Sequence, residues 1–317
     1  MSITERIDAI TGIPENYRAN FLPMPRAVKI ELTARCNFRC KFCARGSRLR
    51  IQQDMDRAFF SRIIREMRDS GVEELGLFYL GESFLCSWLE EAIAEAKEIG
   101  FPYVFLTTNG SLAFPARVEK CIRSGLDSLK FSWNYIDAGQ FRDITRVKDA
   151  YWRQMWDNIQ AAVAMRNMVL AETGHRCGIY ASYIEYDGEQ AKKMAPIVGW
   201  LSTFLDEVYA LPLYSQASLC RKQEKEEGWT PVAGVRGRSG NLRDPLPCWA
   251  VFTEGHITFD GYLSACCFDH DGRFHMADLN TTPFRDAWNS EKFQTLRAAH
   301  LTLDVRNTPC EQCVAWL

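Results

Sequence analysis

Three cysteines, Cys36, Cys40 and Cys43, stand within the stretch ELTARCNFRCKFCARGS at residues 31–47. Thiolates are soft ligands that bind iron–sulfur clusters, zinc or copper(I). Three thiolates on one short loop can each bind one iron of a four-iron cluster and leave the fourth iron open. The residues between the cysteines are mostly polar, so three unrelated buried thiols are the weaker interpretation. The stretch therefore predicts a metal-cluster loop.

A second group of cysteines lies near the C-terminus. It comprises Cys248, the neighbours Cys266 and Cys267, and the C-x2-C pair Cys310 and Cys313. Four thiols from two separated segments can close a metal site that has no open position. On spacing alone, a structural zinc ion fits these cysteines as well as an iron–sulfur cluster does. The five histidines of the chain form no ligand pattern.

Composition restricts the class of protein. The chain has 317 residues, of which 47% are hydrophobic, and a net charge of −2. This charge argues against a broad nucleic-acid-binding surface. The N-terminal residues show no apolar export signal, and no apolar run has the length of a membrane span. We therefore expect a cytoplasmic protein without nucleic-acid or membrane partners, whose twelve cysteines are metal ligands or buried thiols rather than disulfides.

Residues 27–214 alternate between short apolar strands and amphipathic helices, which predicts parallel strands joined by right-handed crossovers. The expected fold class is α/β, a partial (β/α)6 TIM-type barrel, with an open doubly wound sheet as the alternative. In either fold, ligands bind at the carboxyl ends of the strands, where the first cysteine loop begins. The predicted strands are 27–32, 74–80, 103–109, 128–133, 177–185 and 206–214.

The rest of the chain has a different character. Residues 255–267 read as a hairpin that turns at Asp260–Gly261. Thr282 and Pro283 suit the N-cap and first position of a final helix. The predicted division is an N-terminal extension at 1–26, a barrel at 27–214, a linker or lid at 215–247, and a small C-terminal domain of hairpin plus helix at 248–317.

The spacing C-x3-C-x2-C after a strand resembles the signature of the radical S-adenosylmethionine (SAM) superfamily. The resemblance implies that Cys36, Cys40 and Cys43 hold a [4Fe–4S] cluster whose open iron binds SAM. One electron, delivered by an external reductant such as flavodoxin or ferredoxin, would cleave SAM to methionine and a 5′-deoxyadenosyl radical. That radical would abstract a hydrogen atom from the substrate.

Further motifs of the same family imply the residues that contact SAM. YLGESFL at 79–85 is similar to the glycine–glutamate motif that meets the SAM ammonium, although Leu80 and Ser83 depart from the usual glycine and proline. TTNG at 107–110 is similar to the end of the third strand. The residues expected to bind SAM are Gly81, Glu82, Asn109, Ser132 and Arg146.

The C-terminal cysteines resemble the Twitch domain, a shortened SPASM domain. This resemblance implies one auxiliary [4Fe–4S] cluster held by Cys248, Cys266, Cys310 and Cys313, with zinc as the alternative. Cys267 is then left over. It is a candidate catalytic residue that donates a hydrogen atom to a substrate radical; a small buried hydrophobe, or an exchange of roles with Cys266, are the other interpretations.

In length and cysteine pattern the chain resembles Twitch-type dehydrogenases and epimerases of aminocyclitols and aminoglycosides, as in antibiotic biosynthesis. The expected function is radical SAM oxidation of a carbohydrate-like small molecule, with dehydrogenation ahead of epimerisation. About twenty-six residues precede the first strand, too few for the leader-peptide-binding domain of many peptide-modifying relatives. A peptide-modifying enzyme is the alternative, and a metal-stabilised binding or electron-transfer protein is the alternative from another class.

Overall fold

A nine-stranded sheet organises the computed structural model, which describes residues 2–47 and 50–314. The first six strands begin within one residue of their predicted starts, and all of them except the fifth end one to four residues earlier than predicted. The strands are β1 (Ala27–Ile30), β2 (Glu74–Gly76), β3 (Tyr103–Thr108), β4 (Ser128–Ser132), β5 (Gly178–Glu185), β6 (Glu207–Pro212), β7 (Glu254–Ile257), β8 (Tyr262–Ser264) and β9 (His275–Asp278).

The strand order is β6-β5-β4-β3-β2-β1-β7-β8-β9, and every pair from β6 to β7 is parallel. Each of the first six strands lies beside its predecessor. In a doubly wound sheet the spatial order of the strands reverses at a switch point. No reversal occurs between β1 and β6, so that alternative is excluded. Because β6 and β1 are not paired with each other in the described sheet, the barrel is partial, as predicted.

The helices that connect the barrel strands pack against the sheet. The helix between β1 and β2 begins at the N-cap Asp56, whose carboxylate accepts from the Phe59 N–H at 2.8 Å, and it buries an apolar face on the core. The helices are α1 (Ile3–Thr11), α2 (Arg57–Asp69), α3 (Leu89–Ile99), α4 (Pro115–Arg123), α5 (Ala138–Thr145), α6 (Ala150–Thr173), α7 (Gln190–Leu201), α8 (Arg221–Glu227), α9 (Phe284–Trp288), α10 (Glu291–Leu301) and α11 (Glu311–Val314).

The C-terminal segment extends the barrel sheet, a feature that the sequence did not predict. β7 pairs in parallel with β1, and the expected hairpin is present because β8 runs back along β7 after Gly261, which has a φ of 88°. Cys266 and Cys267 follow β8, so the chain returns them toward the start of β7. Cys248 precedes that start. Hairpin geometry therefore brings Cys248 and the Cys266–Cys267 pair together within the C-terminal segment 248–314, called the tail below.

The last predicted helix is divided. Pro283 occupies the N-cap rather than the first helical position, α9 ends after one turn, and α10 begins after Ser290. Helix α1 in the N-terminal segment also lay outside the predicted elements. In residues 2–47 and 50–314, the structure contains no helix long and apolar enough to cross a membrane.

Candidate active site

The loop after β1 is tied to helix α5. The backbone N–H groups of Arg39 and Lys41 donate to the last two carbonyls of α5 at 3.0 and 2.9 Å. Between the first two cysteines, Phe38 is buried against Phe141 of α5, with ring centroids 5.6 Å apart. These contacts satisfy carbonyls at the helix end and fix the path of the cysteine loop.

The three thiols of this loop are not joined in disulfides, and they lie close enough to influence one another. Burial raises the pKa of the Cys40 thiol well above its usual value, and Cys43 and Cys36 raise it further. Burial, reinforced by Glu82, raises the pKa of Cys36 to about 12. The Tyr135 hydroxyl lies 3.7 Å from the Cys40 sulfur. A cluster of soft thiol donors on one buried loop is the chemistry that an iron–sulfur cluster requires.

The basic residues around the loop are partly neutralised by acidic partners. Arg35 forms an ion pair with Asp54 at 2.7 Å. Lys41 forms ion pairs with Asp143 at 2.7 Å and Glu227 at 2.8 Å. Carboxylates therefore offset the charges of Arg35 and Lys41, which reduces the positive field that a bound cluster would meet at this loop.

Gly81 lies directly against the cysteine loop. A Cβ at this position would be 2.0 Å from the Thr33 carbonyl oxygen and 2.7 Å from that of Arg35. The next residue, Glu82, donates its backbone N–H to the Arg35 carbonyl at 2.8 Å. Only glycine permits this approach, so the motif after β2 and the loop after β1 form one unit.

The Glu82 carboxylate is buried at the end of β3. It accepts from the Thr108 hydroxyl at 2.8 Å, from the Asn109 N–H at 2.7 Å and from the Phe84 N–H at 3.2 Å. Burial raises the pKa of this carboxyl, and the three hydrogen bonds oppose the rise. A carboxylate with two oxygens has capacity for a further donor, such as an ammonium group.

Asn37, between the first two cysteines, connects the loop to the end of β3. Its side-chain oxygen accepts from the Asn109 amide at 2.9 Å, and its amide donates to the Ser111 hydroxyl at 2.9 Å. Ser111 in turn donates to the Asn109 side-chain oxygen at 2.7 Å. Asn37 and Ser111 were missed from the sequence, although Asn37 stands inside the cysteine motif.

The other two residues expected at SAM occupy different surroundings. Ser132 is half-buried at the carboxyl end of β4. Arg146 is exposed and takes a left-handed conformation, with a φ of 57°, at the C-terminus of α5. Arg146 therefore neighbours the cysteine loop through α5, whereas Gly81, Glu82 and Asn109 are joined to the loop directly.

The cysteine thiols of the C-terminal segment also lie close to one another. Burial raises the pKa of the Cys248 thiol well above its usual value, and Cys310, Cys267 and Cys313 each add to the rise. Burial raises the pKa of Cys310 to about 12. No three His, Cys, Asp or Glu side chains in the described ranges converge as they would on one metal ion. A four-iron cluster binds its thiolates on different iron atoms, so its ligands stand farther apart.

Cys266 and Cys267 both lie beside Cys313. The pKa of the Cys266 thiol is raised first by its hydrogen bond with Cys267, then by burial and by Cys313. Burial and Cys267 raise the pKa of Cys313 to about 11, against opposing hydrogen bonds from the backbone. The Tyr79 hydroxyl donates to the Cys266 carbonyl and so connects the end of β2 to this segment.

A strained turn connects the two cysteine regions. Gln216, Ala217 and Ser218 have consecutive positive φ angles of 49°, 58° and 67°. The Gln216 side-chain oxygen accepts from the N–H of Ala44, next to Cys43, at 2.7 Å. The Ser218 hydroxyl donates to the carbonyl preceding Cys313 at 2.5 Å. Left-handed residues without glycine cost energy, so these contacts hold the turn in place.

A cavity of about 300 Å³ occupies the barrel interior. Its wall contains inward residues of five barrel strands, apolar residues of α1, and Trp249, Glu254, Cys267 and Phe268 of the tail. Trp133 packs instead against Trp152 and Trp156 outside this cavity. The size is at the lower end of the range for small-molecule sites.

Family models match most of the chain. Residues 30–197 match the model described as the Radical SAM superfamily. Residues 248–314 match SPASM, described as an iron-sulfur cluster-binding domain. The two matches contain the first cysteine loop and the tail cysteines respectively.

Curated relatives carry different names. A probable GTP 3′,8-cyclase of Methanothermobacter marburgensis is 32% identical over 43% of this chain and 44% of its own length. A GTP 3′,8-cyclase of Limosilactobacillus fermentum is 26% identical over 76% of this chain and 79% of its own. The PqqA peptide cyclase of Xanthomonas euvesicatoria is 30% identical over 37% and 31%. The chain thus spans less than half the length of the first and third of these relatives.

Solved structures share the fold at low identity. BtrN in complex with AdoMet and 2-DOIA has a TM-score of 0.55 at 14% identity, covering 87% of this chain and 86% of BtrN. Streptococcus suis SuiB bound to precursor peptide SuiA has a TM-score of 0.63 at 15% identity, covering 92% and 75%. Fold, matched domains and gathered thiols agree on SAM and two [4Fe–4S] clusters as the cofactors. The chain belongs to the radical SAM superfamily and carries a C-terminal SPASM-type iron–sulfur domain.

Proposed function

We propose that this enzyme removes a hydrogen atom from a carbon of a small carbohydrate-like molecule, of the aminocyclitol or aminoglycoside type, and oxidises that carbon. The observation that carries the proposal is the small cavity inside the barrel, whose mostly apolar wall holds a few charged and hydrogen-bonding groups. Its wall includes the charged groups of Lys29, Glu74 and Glu254 together with apolar surface from α1. Such a wall suits a compact molecule with several hydrogen-bonding groups.

The charges of the wall also argue against a triphosphate. Arg6 is paired with Glu74 at 2.8 Å, and Lys29 is paired with Glu254 at 2.7 Å. Two of the three basic groups in the wall are therefore already neutralised. A nucleoside triphosphate would need several cations to replace its hydration, so the GTP named for two relatives is a weaker candidate substrate here.

The cofactor roles follow the family pattern. We assign Cys36, Cys40 and Cys43 to the SAM-binding cluster, and Cys248, Cys266, Cys310 and Cys313 to the auxiliary cluster. The residues assigned to SAM are Gly81, Glu82, Asn109, Ser132 and Arg146. When bound, SAM and its cluster supply the hydrogen-abstracting radical, and the auxiliary cluster supplies a one-electron acceptor. The electron that starts each turnover comes from flavodoxin, ferredoxin or a similar donor.

Epimerisation is the second candidate, and the position of Cys267 favours it. Cys267 lines the same cavity as the proposed substrate. A thiol there is able to return a hydrogen atom to a substrate radical from the face opposite to abstraction. Turnover in deuterium oxide separates the two reactions: an epimerase places deuterium on the inverted carbon, whereas dehydrogenation gives a two-electron-oxidised product without it.

Peptide modification is a third candidate, favoured by the similarity to the PqqA peptide cyclase. The cavity holds at most a few residues of a peptide, so a peptide would need to enter with one side chain or one end. A panel of aminocyclitols, aminoglycosides, short peptides and GTP, with and without the protein, would rank these classes.

The first experiment is anaerobic reconstitution followed by reduction in the presence of SAM. We expect about eight iron atoms per chain and formation of 5′-deoxyadenosine, with an increase on addition of one class from the panel. Zinc in the tail, or absence of SAM cleavage, would overturn the proposal and favour a metal-stabilised binding protein. If formation of 5′-deoxyadenosine increases only with a peptide or only with GTP, the substrate belongs to that class instead.

A further inference from the structure

Lys130 presents an amine to the cavity from the middle of β4. Its side chain lines the barrel interior, and its ammonium nitrogen is 5.8 Å from the centroid of the Tyr209 ring. Lys130 makes no hydrogen bond or ion pair with any residue of ranges 2–47 and 50–314 in the contacts that the structure shows. A lysine inside a barrel without an acidic partner is costly to keep charged.

The neighbouring basic groups differ in this respect. Lys29 from β1 and Arg6 from α1 each have a carboxylate within 2.8 Å. The titratable groups that share the cavity with Lys130 are Arg6, Lys29, Glu74, Tyr79, Tyr103, Tyr209, Tyr214, Glu254 and Cys267. Burial, followed by the like charge of Lys29, lowers the pKa of Lys130 to about 7. At neutral pH a substantial fraction of Lys130 is therefore an uncharged amine, which is a base.

Lys130 lies one step along the inward face of β4 from a residue assigned to SAM. Side chains two residues apart on a strand share a face, and they are separated by about 6.5 Å along the strand. Ser132, assigned to SAM above, is two residues beyond Lys130 on β4 and thus on the same inward face. Across the sheet, Lys130 is paired with Thr107, two residues before Asn109. The amine therefore lies one step deeper in the barrel than the SAM-binding rim.

We propose that Lys130 is the proton acceptor of the oxidation. This inference rests on the proposed function and names a residue for it. After a hydrogen atom leaves the substrate carbon, the adjoining hydroxyl or amino group loses its proton to the Lys130 amine, and one electron goes to the one-electron acceptor described above. The carbon–hydrogen bond and one O–H or N–H bond break, a C=O or C=N bond forms, and the lysine becomes an ammonium.

The first test needs no substrate. Reconstituted protein is treated anaerobically with a trace of acetic anhydride between pH 6 and 10, and acetylation of each lysine is followed by mass spectrometry. The exposed Lys193 on α7 serves as reference in the same sample. We expect acetylation of Lys130 to reach half its maximum near neutral pH. Half-maximal labelling above pH 9, or resistance at every pH, would overturn the proposal.

The second test compares Lys130→Met, Lys130→Arg and Lys130→His with the substrate that the panel selects. We expect the ratio of oxidised product to 5′-deoxyadenosine to fall about 100-fold or more in K130M, within the range for loss of a general base. Arginine keeps the charge but accepts no proton, so the product ratio of K130R should fall by the same factor. K130H should recover part of the ratio, with a shifted pH profile.

Failure of this inference differs from failure of the proposed function. If wild-type protein cleaves SAM and oxidises substrate, and K130M keeps the same product ratio and pH profile, Lys130 is not the acceptor. Recovery by K130R but not by K130H would assign Lys130 to charge-based substrate binding instead. If wild-type protein forms no 5′-deoxyadenosine, the proposed function has failed, and the acetylation profile alone decides whether Lys130 is a neutral amine in the cavity.

Discussion

The imidazole of His300 lies between two tail cysteines, with its Nε2 atom 3.3 Å from the Cys310 sulfur. Its Nδ1 atom accepts from the Cys248 N–H at 3.1 Å. Because Nδ1 is an acceptor, the ring proton is on Nε2 and points at the sulfur. Burial lowers the pKa of His300 to about 4, so the ring is neutral. His300 is therefore an N–H donor to one proposed ligand and an anchor for another.

Removal of His300 should lower the reduction potential of the auxiliary cluster. An N–H···S bond stabilises the more negative, reduced cluster, and second-shell donors of this kind tune clusters. We expect His300→Phe to keep its iron but to require a lower potential for reduction, in a titration followed by electron paramagnetic resonance. His175→Gln, outside the C-terminal segment and bonded to a carbonyl in the α4–β4 connection, is the control. Equal potentials in all three proteins would contradict this role.

The roles of Cys266 and Cys267 are separable by iron content. The sequence pattern assigns Cys266 to the auxiliary cluster, and the structure brings both thiols beside Cys313. We expect Cys266→Ser to lose about four iron atoms and Cys267→Ser to keep about eight. If Cys267→Ser loses the iron instead, the two cysteines exchange roles and the hydrogen-donor assignment for Cys267 is withdrawn.

Gly81→Ala should displace the cysteine loop. The new methyl group would meet the Thr33 carbonyl at 2.0 Å, and a backbone carbonyl cannot rotate away as a side chain can. We expect a loss of about 1–3 kcal/mol in the free energy of unfolding, with weaker SAM binding, measured by denaturation and calorimetry.

Gly199→Ala is the matched control for Gly81→Ala. It lies within α7, and a Cβ there has no heavy atom within 4 Å. Alanine in an open helix position should stabilise by roughly 0.5–1 kcal/mol. If both variants behaved alike, close approach at Gly81 would not be the cause.

Sequence patterns predicted the six barrel strands because alternation of apolar strands and helices is a local signal. They did not predict that β7 would join β1 in parallel, since pairing between residues 227 positions apart leaves no periodic mark in either segment. The inward position of Lys130 was not predictable either. A lysine in an apolar strand is usually at an edge or on the surface, and only the curvature of the sheet shows that this one faces the barrel interior.

The two cysteine groups could be predicted from the sequence because the spacing of the thiols is what allows them to bind one cluster. The residues that orient them could not. His300 reaches Cys310 from α10, and Asn37 reaches Asn109 from another strand end, through contacts that only the tertiary fold creates. The ion pairs of Arg35 and Lys41 beside the first loop were not predictable either, because their acidic partners come from other parts of the chain.

Acid should destabilise the protein through Glu254. This carboxylate is buried, which alone would raise its pKa, but Lys29 at 2.7 Å and His256 at 3.0 Å overcome burial and lower the pKa to about 2. A carboxyl with a depressed pKa in the folded state stabilises the protein above its unfolded pKa of 4.5 and loses that contribution as the pH falls toward 2. The contribution at pH 7 is about 3 kcal/mol.

Glu254→Gln tests this pH dependence. The amide leaves Lys29 without its ionised partner, so we expect the variant to be less stable than the wild type at pH 7, by about 3–5 kcal/mol. Between pH 5 and pH 3 the wild type should lose stability faster than the variant, and the two urea-unfolding curves should approach each other. Glu172→Gln, on the exposed surface of α6, is the control and should follow the wild type. Parallel pH profiles for wild type and Glu254→Gln would show that the buried ion pair does not set the acid sensitivity.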